Sequence, residues 1–149
     1  MTTDVRMIQL LMNLRRQGVT DTDVLSAMEQ TPREMFVPEM FRDRSFDNTA
    51  LPIDCGQTIS QPYIVAYMTA ALELKPNARV LEVGTGSGYQ AAVLARLCRR
   101  VYTIERIPEL AQAAQERLKK LLLFNVDVRV SDGARGWPGQ APFDRIVVT

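Results

Sequence analysis

Ten residues constrain this chain more than any others: Val80-Leu81-Glu82-Val83-Gly84-Thr85-Gly86-Ser87-Gly88-Tyr89. A short apolar run enters three glycines at alternate positions and leaves into QAAVLARLC, a stretch with helical composition. A strand, a tight turn and a helix in that order bring bare backbone close to anything bound at the strand's carboxyl end. The alternation then continues through RVYTIE, PELAQAAQERLKKLLL, VDVRVSD and FDRIVVT. Short apolar strands interleaved with helices predict a doubly wound, mainly parallel α/β sheet from Arg79 onward.

Ahead of that sheet the pattern is different. Val5, Ile8, Leu11, Met12 and Leu14, with Leu10, form an apolar stripe at helical spacing that stops near Gly18. A second helix follows, with Thr20 as N-cap, Asp23 three residues on, Val24, Leu25 and Met28 facing the core, and Pro32 as terminator. Both helices are read as simple packing. Between Pro38 and Pro62 neither period persists, so this reads as a long loop in a compact chain, and such loops usually carry function. Pro62 suits the first turn of a third helix running through Val65, Met68, Ala71 and Leu72, with Ser60 or Gln61 beside its free N–H groups. The chain therefore divides into N-terminal helices and a loop (residues 1–60) and a Rossmann-like part that carries the sheet (61–149), within one compact domain.

With 149 residues, 46% of them hydrophobic, the chain suits one core. Eighteen basic residues nearly balance seventeen acidic ones, so no global field attracts nucleic acid or an anionic membrane. Histidine is absent, and Cys55 and Cys98 stand far apart without ligand spacing. These facts argue against a metal site and against imidazole catalysis. Cys55 reads as a small packing residue without a base to activate it, and Trp137 as an aromatic packed under its own turn. With no apolar run near transmembrane length and no cleavage-like leader, the expected compartment is the cytoplasm.

The glycine turn alone is a weak signal, because dinucleotides, phosphates and plain tight turns all use one. Two details sharpen it. The spacing is GxGxG, and Glu82 stands two residues before the first glycine, where it repels a pyrophosphate and favours a cationic ligand. The next strand ends in Glu105, about 20 residues on, where an acid can accept from both hydroxyls of a ribose. The third ends in Asp132-Gly133, where an acid can accept from an adenine amino group. Three acids at one sheet edge point to a cationic nucleoside, and S-adenosylmethionine carries both a sulfonium and an ammonium.

At this point the chain resembles the protein-L-isoaspartate O-methyltransferases. The resemblance rests on GQTISQPYIVAYM (Gly56 to Met68) and VLEVGTGSGYQAAVLA (Val80 to Ala95), supported by VYTIER, SDGARGWP and FDRIVVT. It implies the Rossmann-like sheet of the class I S-adenosylmethionine-dependent methyltransferases with an N-terminal helical extension. It implies methyl transfer from S-adenosylmethionine, leaving S-adenosylhomocysteine, to the free carboxylate of isoaspartyl residues in damaged proteins and peptides, and a monomer in the family's full-length form. Ser60 matches the family's catalytic hydroxyl, and Gln57, Thr58, Ile59 and Ser60 would hold the acceptor. Cofactor contacts would come from Thr58, Ile59, Tyr63, Glu82, Val83, Gly84, Thr85, Gly86, Gly88, Glu105, Arg106, Asp132 and Gly133.

From the residues alone, Ser60 serves equally well as a cap for the helix at Pro62. FDRIVVT reads as the fourth strand of a sheet whose family order is 3-2-1-4-5-7-6, so about a third of the family's length is expected to be missing, leaving an open edge at Ile146 to Val148 and weak or no transfer. Two other functions stay open: a methyltransferase for another acceptor, and a nucleoside-binding module without turnover. GxGxG and Glu82 disfavour a nicotinamide oxidoreductase.

Overall fold

The computed structural model describes residues 3–149. Helix α1 (Val5–Arg16) starts where the Asp4 carboxylate accepts from the Arg6 N–H at 2.8 Å, and closes with Arg15 and Arg16 against its negative end. Its buried face is Met7, Leu10 and Leu14, whereas Val5, Ile8 and Met12 of the expected stripe are 66%, 45% and 48% exposed. Apolar residues ring this helix on several sides, so spacing alone cannot choose between overlapping stripes. The contact with α2 (Thr22–Glu29) chooses. The cap of α2 is Asp21 rather than Thr20, its carboxylate accepting from Asp23 N–H at 3.0 Å and Val24 N–H at 3.2 Å. Val24, Leu25 and Met28 are buried as expected.

The stretch read as a long loop is ordered by short elements that leave no period in a sequence. Short 3-10 helices at Arg33–Phe36 and Glu39–Arg44 precede a two-residue ribbon, β1 (Leu51–Pro52) against β2 (Thr58–Ile59), whose strands are joined through a third at Asp54–Gly56. Leu51 and Ile59 pair across it and both enter the core. Cys55 is not a packing residue. It is exposed at the tip of this ribbon with φ +59°, a left-handed conformation that lets the chain reverse toward Gly56.

Helix α3 (Pro62–Ala71) carries Pro62 at its first turn and buries Val65, Ala66 and Thr69; Ala71 faces outward. Strands β3 (Arg79–Val83), β4 (Arg100–Glu105), β5 (Val126–Val130) and β6 (Arg145–Val148) then form a parallel sheet in the order β5-β4-β3-β6. Helices α4 (Tyr89–Ala95) and α5 (Pro108–Lys120) cross between its strands. Every residue of α4 is buried, because the N-terminal helices cover the face it would otherwise expose. One cluster joins Met7, Leu14, Met28 and Phe36 to Tyr89, Ala92, Val93 and Leu118. Fully burying each large side chain in it contributes roughly 1.5–3 kcal/mol.

Strand β6 lies on the far side of β3 from β4, so the chain's direction of winding reverses between β3 and β6. Ligands of open α/β sheets bind at such a reversal, beyond the carboxyl ends of the strands. Ile146 and Val148 are exposed at the β6 edge. Trp137 packs edge-on against Tyr102 at 5.6 Å between ring centroids, with the Arg129 guanidinium over its other surface, so it is a packing aromatic. Cys98 is buried, which pushes its thiol up to about 12 and makes it inert. No helix among the described residues is long and apolar enough to cross a membrane.

Candidate functional site

The turn after β3 is built from three positive-φ glycines, Gly84 (+99°), Gly86 (+54°) and Gly88 (+93°). They do different work. A side chain on Gly84 would meet the Thr149 carbonyl oxygen at 2.5 Å, so this glycine allows β3 and the end of β6 to converge. Gly88 opens α4, and a Cβ there would sit 3.1 Å from that of Ala114, so it sets the approach of α4 to α5. Gly86 faces space: only Ile53 comes near, at 3.9 Å. The backbone at Gly86 is therefore the part of the turn that is bare toward a ligand.

Glu105 holds this turn in place. One of its carboxylate oxygens accepts from the Gly86 N–H at 2.8 Å, the other from the Ile107 N–H at 3.0 Å. The Gly84 and Thr85 N–H groups both reach the Ile104 carbonyl, at 2.8 and 3.2 Å. Beneath lies a buried polar chain: the Thr103 hydroxyl donates to Glu82 Oε1 at 2.7 Å and lies 2.6 Å from the Thr85 hydroxyl. Glu82 is wholly buried, its second oxygen meets no hydrogen-bond partner within bonding geometry among the described residues, and burial, opposed by Thr103 and Thr149, pushes its carboxyl up to about 8. It is thus mostly protonated at neutral pH. The acid that lines the cleft is Glu105, and Glu82 acts under the turn through Thr103.

A cleft of about 270 Å³ opens above the turn, lined by Gln57, Thr58, Ile59 and Ser60 on one side and by Gly84, Thr85, Gly86, Ser87 and Glu105 on the other. Ribbon β1–β2 carries the first set, the sheet edge the second, and 23 positions of chain separate Ser60 from Gly84. Capping does not engage Ser60. Asn48 caps α3 instead, its side-chain oxygen accepting from the Tyr63 N–H at 3.0 Å, while the Gln61 side chain donates to the Asn48 carbonyl at 3.1 Å. The Ser60 hydroxyl makes no hydrogen bond among the described residues, although it lines the cleft.

Several expected contact residues lie outside the cleft lining. Tyr63 turns toward Tyr67 and the α1–α2 connection. Arg106 is exposed, and the exposed Asp132 uses its carboxylate to accept from the Ala134 N–H at 3.0 Å. Gly133 has its own reason to be glycine, since a Cβ would run into Val83 Cγ1. Val65, Ser87, Tyr89, Gln90 and Thr149 line the cleft without being marked by the sequence pattern. Ser87 and Tyr89 lie inside the glycine motif, and that adjacency is the one signal they carry; Asn48 carries none.

The sequence matches the profile of the family described as Protein-L-isoaspartate(D-aspartate) O-methyltransferase over residues 5–149. It is 60% identical over 146 residues to the protein-L-isoaspartate O-methyltransferase of Maricaulis maris, covering 98% of this chain and 68% of that one. Curated relatives of this kind are spanned to 64–68% of their length. A solved protein-L-isoaspartate O-methyltransferase superposes with a TM-score of 0.87 at 29% identity, covering 96% of this chain and 47% of the other. A Plasmodium falciparum structure described as an enzyme of the same type, in complex with S-adenosyl-L-homocysteine, superposes with a TM-score of 0.76 at 27% identity over 94% of this chain and 71% of its own. With its Rossmann-like sheet, its glycine turn and its TIS-x-P ribbon converging on one cleft, this chain belongs to the protein-L-isoaspartate (D-aspartate) O-methyltransferase family.

Proposed function

We propose that this chain binds S-adenosylmethionine across the Gly84–Ser87 turn and receives an isoaspartyl carboxylate from the side of Gln57–Ser60, as a carboxyl methyltransferase acting on damaged proteins and peptides. The observation that carries this reading is the convergence of the two segments on one cleft. The residues present suit the cofactor. Gly86 leaves bare backbone toward the cleft, and each Glu105 oxygen, already accepting one N–H, retains lone-pair capacity for a sugar hydroxyl. Two free cysteines suit a reducing cytoplasm.

When bound, the cofactor supplies a methyl carbon on positive sulfur, which a carboxylate oxygen displaces to give a methyl ester and S-adenosylhomocysteine. An isoaspartyl carboxylate is ionised at neutral pH, so no residue has to remove a proton. The chain's task is orientation, whose ceiling in model systems is about 7–11 kcal/mol. Ser60 is free to donate its hydroxyl to the incoming carboxylate, because Asn48 has taken over the helix cap. Thr58 and Ile59 form the same wall.

Whatever tritiated methyl the chain transfers from the cofactor should appear on an isoaspartyl peptide, not on its aspartyl isomer or on RNA, and should be released by mild base. Ser60→Ala is expected to lower kcat/KM about 10- to 100-fold with unchanged affinity for S-adenosylhomocysteine. Equal labelling of the aspartyl peptide would remove the isoaspartate assignment. Glu105→Ala is expected to weaken S-adenosylhomocysteine binding in calorimetry by about tenfold or more and to cost about 2–3 kcal/mol of stability, because two N–H groups lose their acceptor. Undiminished binding would end the proposed role of Glu105 in holding the nucleoside.

A further inference from the structure

Arg33 is the largest side chain that is fully buried, at 0% exposure, and it has no carboxylate partner among the described residues. A guanidinium stays charged in proteins, and enclosing one without a counter-charge is costly. Burial depresses its proton affinity, and the neighbour that acts against this is Tyr89 rather than a carboxylate. What Arg33 does contact is specific. Its Nη2 donates to the Ser60 carbonyl at 2.9 Å and more weakly to the Thr49 carbonyl at 3.3 Å. The guanidinium lies over the Tyr89 ring, 5.0 Å from the centroid, and its Nε and Nη1 have no acceptor among the described residues. Tyr89 lines the cleft and is itself held edge-on by Phe36.

These contacts join the two halves of the site from behind. Ser60 belongs to the ribbon and Tyr89 to the first turn of the helix that follows the glycines; one planar cation touches both. The bond to Ser60 goes to its carbonyl, so it fixes the backbone of that residue while leaving the hydroxyl free. Thr49 adjoins Asn48, whose side chain caps α3, so the weaker bond steadies the second support of the same loop.

We infer that Arg33 is a positioning residue of the acceptor site: its buried guanidinium sets the Ser60 backbone against the Tyr89 wall and so fixes where the acceptor carboxylate meets the cofactor's methyl. This deepens the methyltransferase reading and rests on it for the identity of the acceptor. The link between Arg33 and the Ser60 backbone does not depend on that identity.

The test compares Arg33→Met, Arg33→Lys and, as a control, Arg96→Met, which also removes a half-buried guanidinium bonded to the N-terminal region through Thr31. Hydrogen exchange followed by mass spectrometry on residues 48–63 is the readout that needs no turnover. Arg33→Met is expected to speed exchange there by about tenfold over its effect on the β3–β4 strands, and Arg96→Met to leave that ratio near one. Arg33→Lys keeps the charge and donates from a single nitrogen, and is expected to restore at least half of the lost protection in a folded chain. In methyl transfer, Arg33→Met should lower kcat/KM for an isoaspartyl peptide about thirtyfold with the affinity for S-adenosylhomocysteine within about twofold. Uniform loss of protection, or an unchanged 48–63 segment, would overturn the assignment. A wild-type chain that labels no isoaspartyl peptide would instead count against the proposed reaction, with exchange still deciding the role of Arg33. Should Arg33→Met not fold, Arg33→Gln decides, because its shorter, neutral amide keeps neither the cation over Tyr89 nor the reach to both carbonyls: wild-type protection of 48–63 together with wild-type kcat/KM in that variant would refute the role.

Discussion

Gly84→Ala is expected to cost about 3 kcal/mol or more of folding stability and to reduce binding of S-adenosylhomocysteine about a hundredfold. Two independent penalties meet at this position. Its φ of +99° is one that L side chains rarely adopt, and a Cβ would stand 2.5 Å from a backbone oxygen of Thr149, a residue tied to this turn by its N–H bond to the Val83 carbonyl and its hydroxyl bond to the Gly84 carbonyl. Relief requires β6 to slide or the turn to flatten, and either movement displaces the Gly86 backbone that faces the cleft. Gly139→Ala is the control: no atom comes within 4 Å of a Cβ there and its φ is not positive, so stability should stay within about 0.5 kcal/mol. Denaturant titration and calorimetry on both variants check this. A Gly84→Ala chain with wild-type midpoint and affinity would mean that the turn is not the cofactor platform.

Glu82→Gln is expected to remove a pH dependence of stability that the wild-type chain should show. The folded chain raises the Glu82 carboxyl from 4.5 to about 8, chiefly through burial, against which hydrogen bonds such as that from Thr103 act in the opposite direction. Between those values the folded state keeps a proton that the unfolded state has released. The stabilisation is therefore fully present below about pH 4.5 and is lost as pH rises through about 8, at about 1.4 kcal/mol per pH unit. Glutamine is neutral throughout and its amide oxygen can still accept from Thr103, so the variant should be nearly flat over this window from this position and more stable than wild type at pH 8.5. Urea titrations at pH 5.5, 7.0 and 8.5 measure the difference between the two chains, which cancels all other titrating groups. Parallel curves would show that Glu82 is ionised in the folded chain, and would restore it as a charge that attracts the cofactor's cation.

Both predictions concern a motif that is legible in the linear chain, yet the physical roles within it are not. Glu82 reads as a charge facing a cation, because spacing reports that an acid precedes the glycines and says nothing of its depth. The sheet decides: Glu82 is flanked by Thr103 and Val147 on neighbouring strands, which excludes the water that would keep it ionised. Asp132 departs in the opposite direction. Its place at a strand end suggests an adenine contact; in the folded chain its Oδ1 accepts from the N–H of Ala134, two residues on, and the residue is exposed outside the cleft lining.

The order of residues carries the local grammar and the lineage: the alternation of apolar strands and helices from Arg79 onward, glycines where backbone must bend or come close, Pro62 opening a helix, and the TIS-x-P ribbon that marks the family. Each is a property of residues within a few positions of one another, and so survives in a linear string. Folding in three dimensions settles the rest: which stripe of α1 is buried, that Asn48 rather than Ser60 caps α3, and that Arg33 braces Ser60 from behind. Those outcomes hang on contacts between segments 15 or more residues apart, such as Asn48 with Tyr63 and Arg33 with Ser60. Such pairings follow from how whole elements dock, and docking is set by the summed burial of a core that no short window of sequence contains.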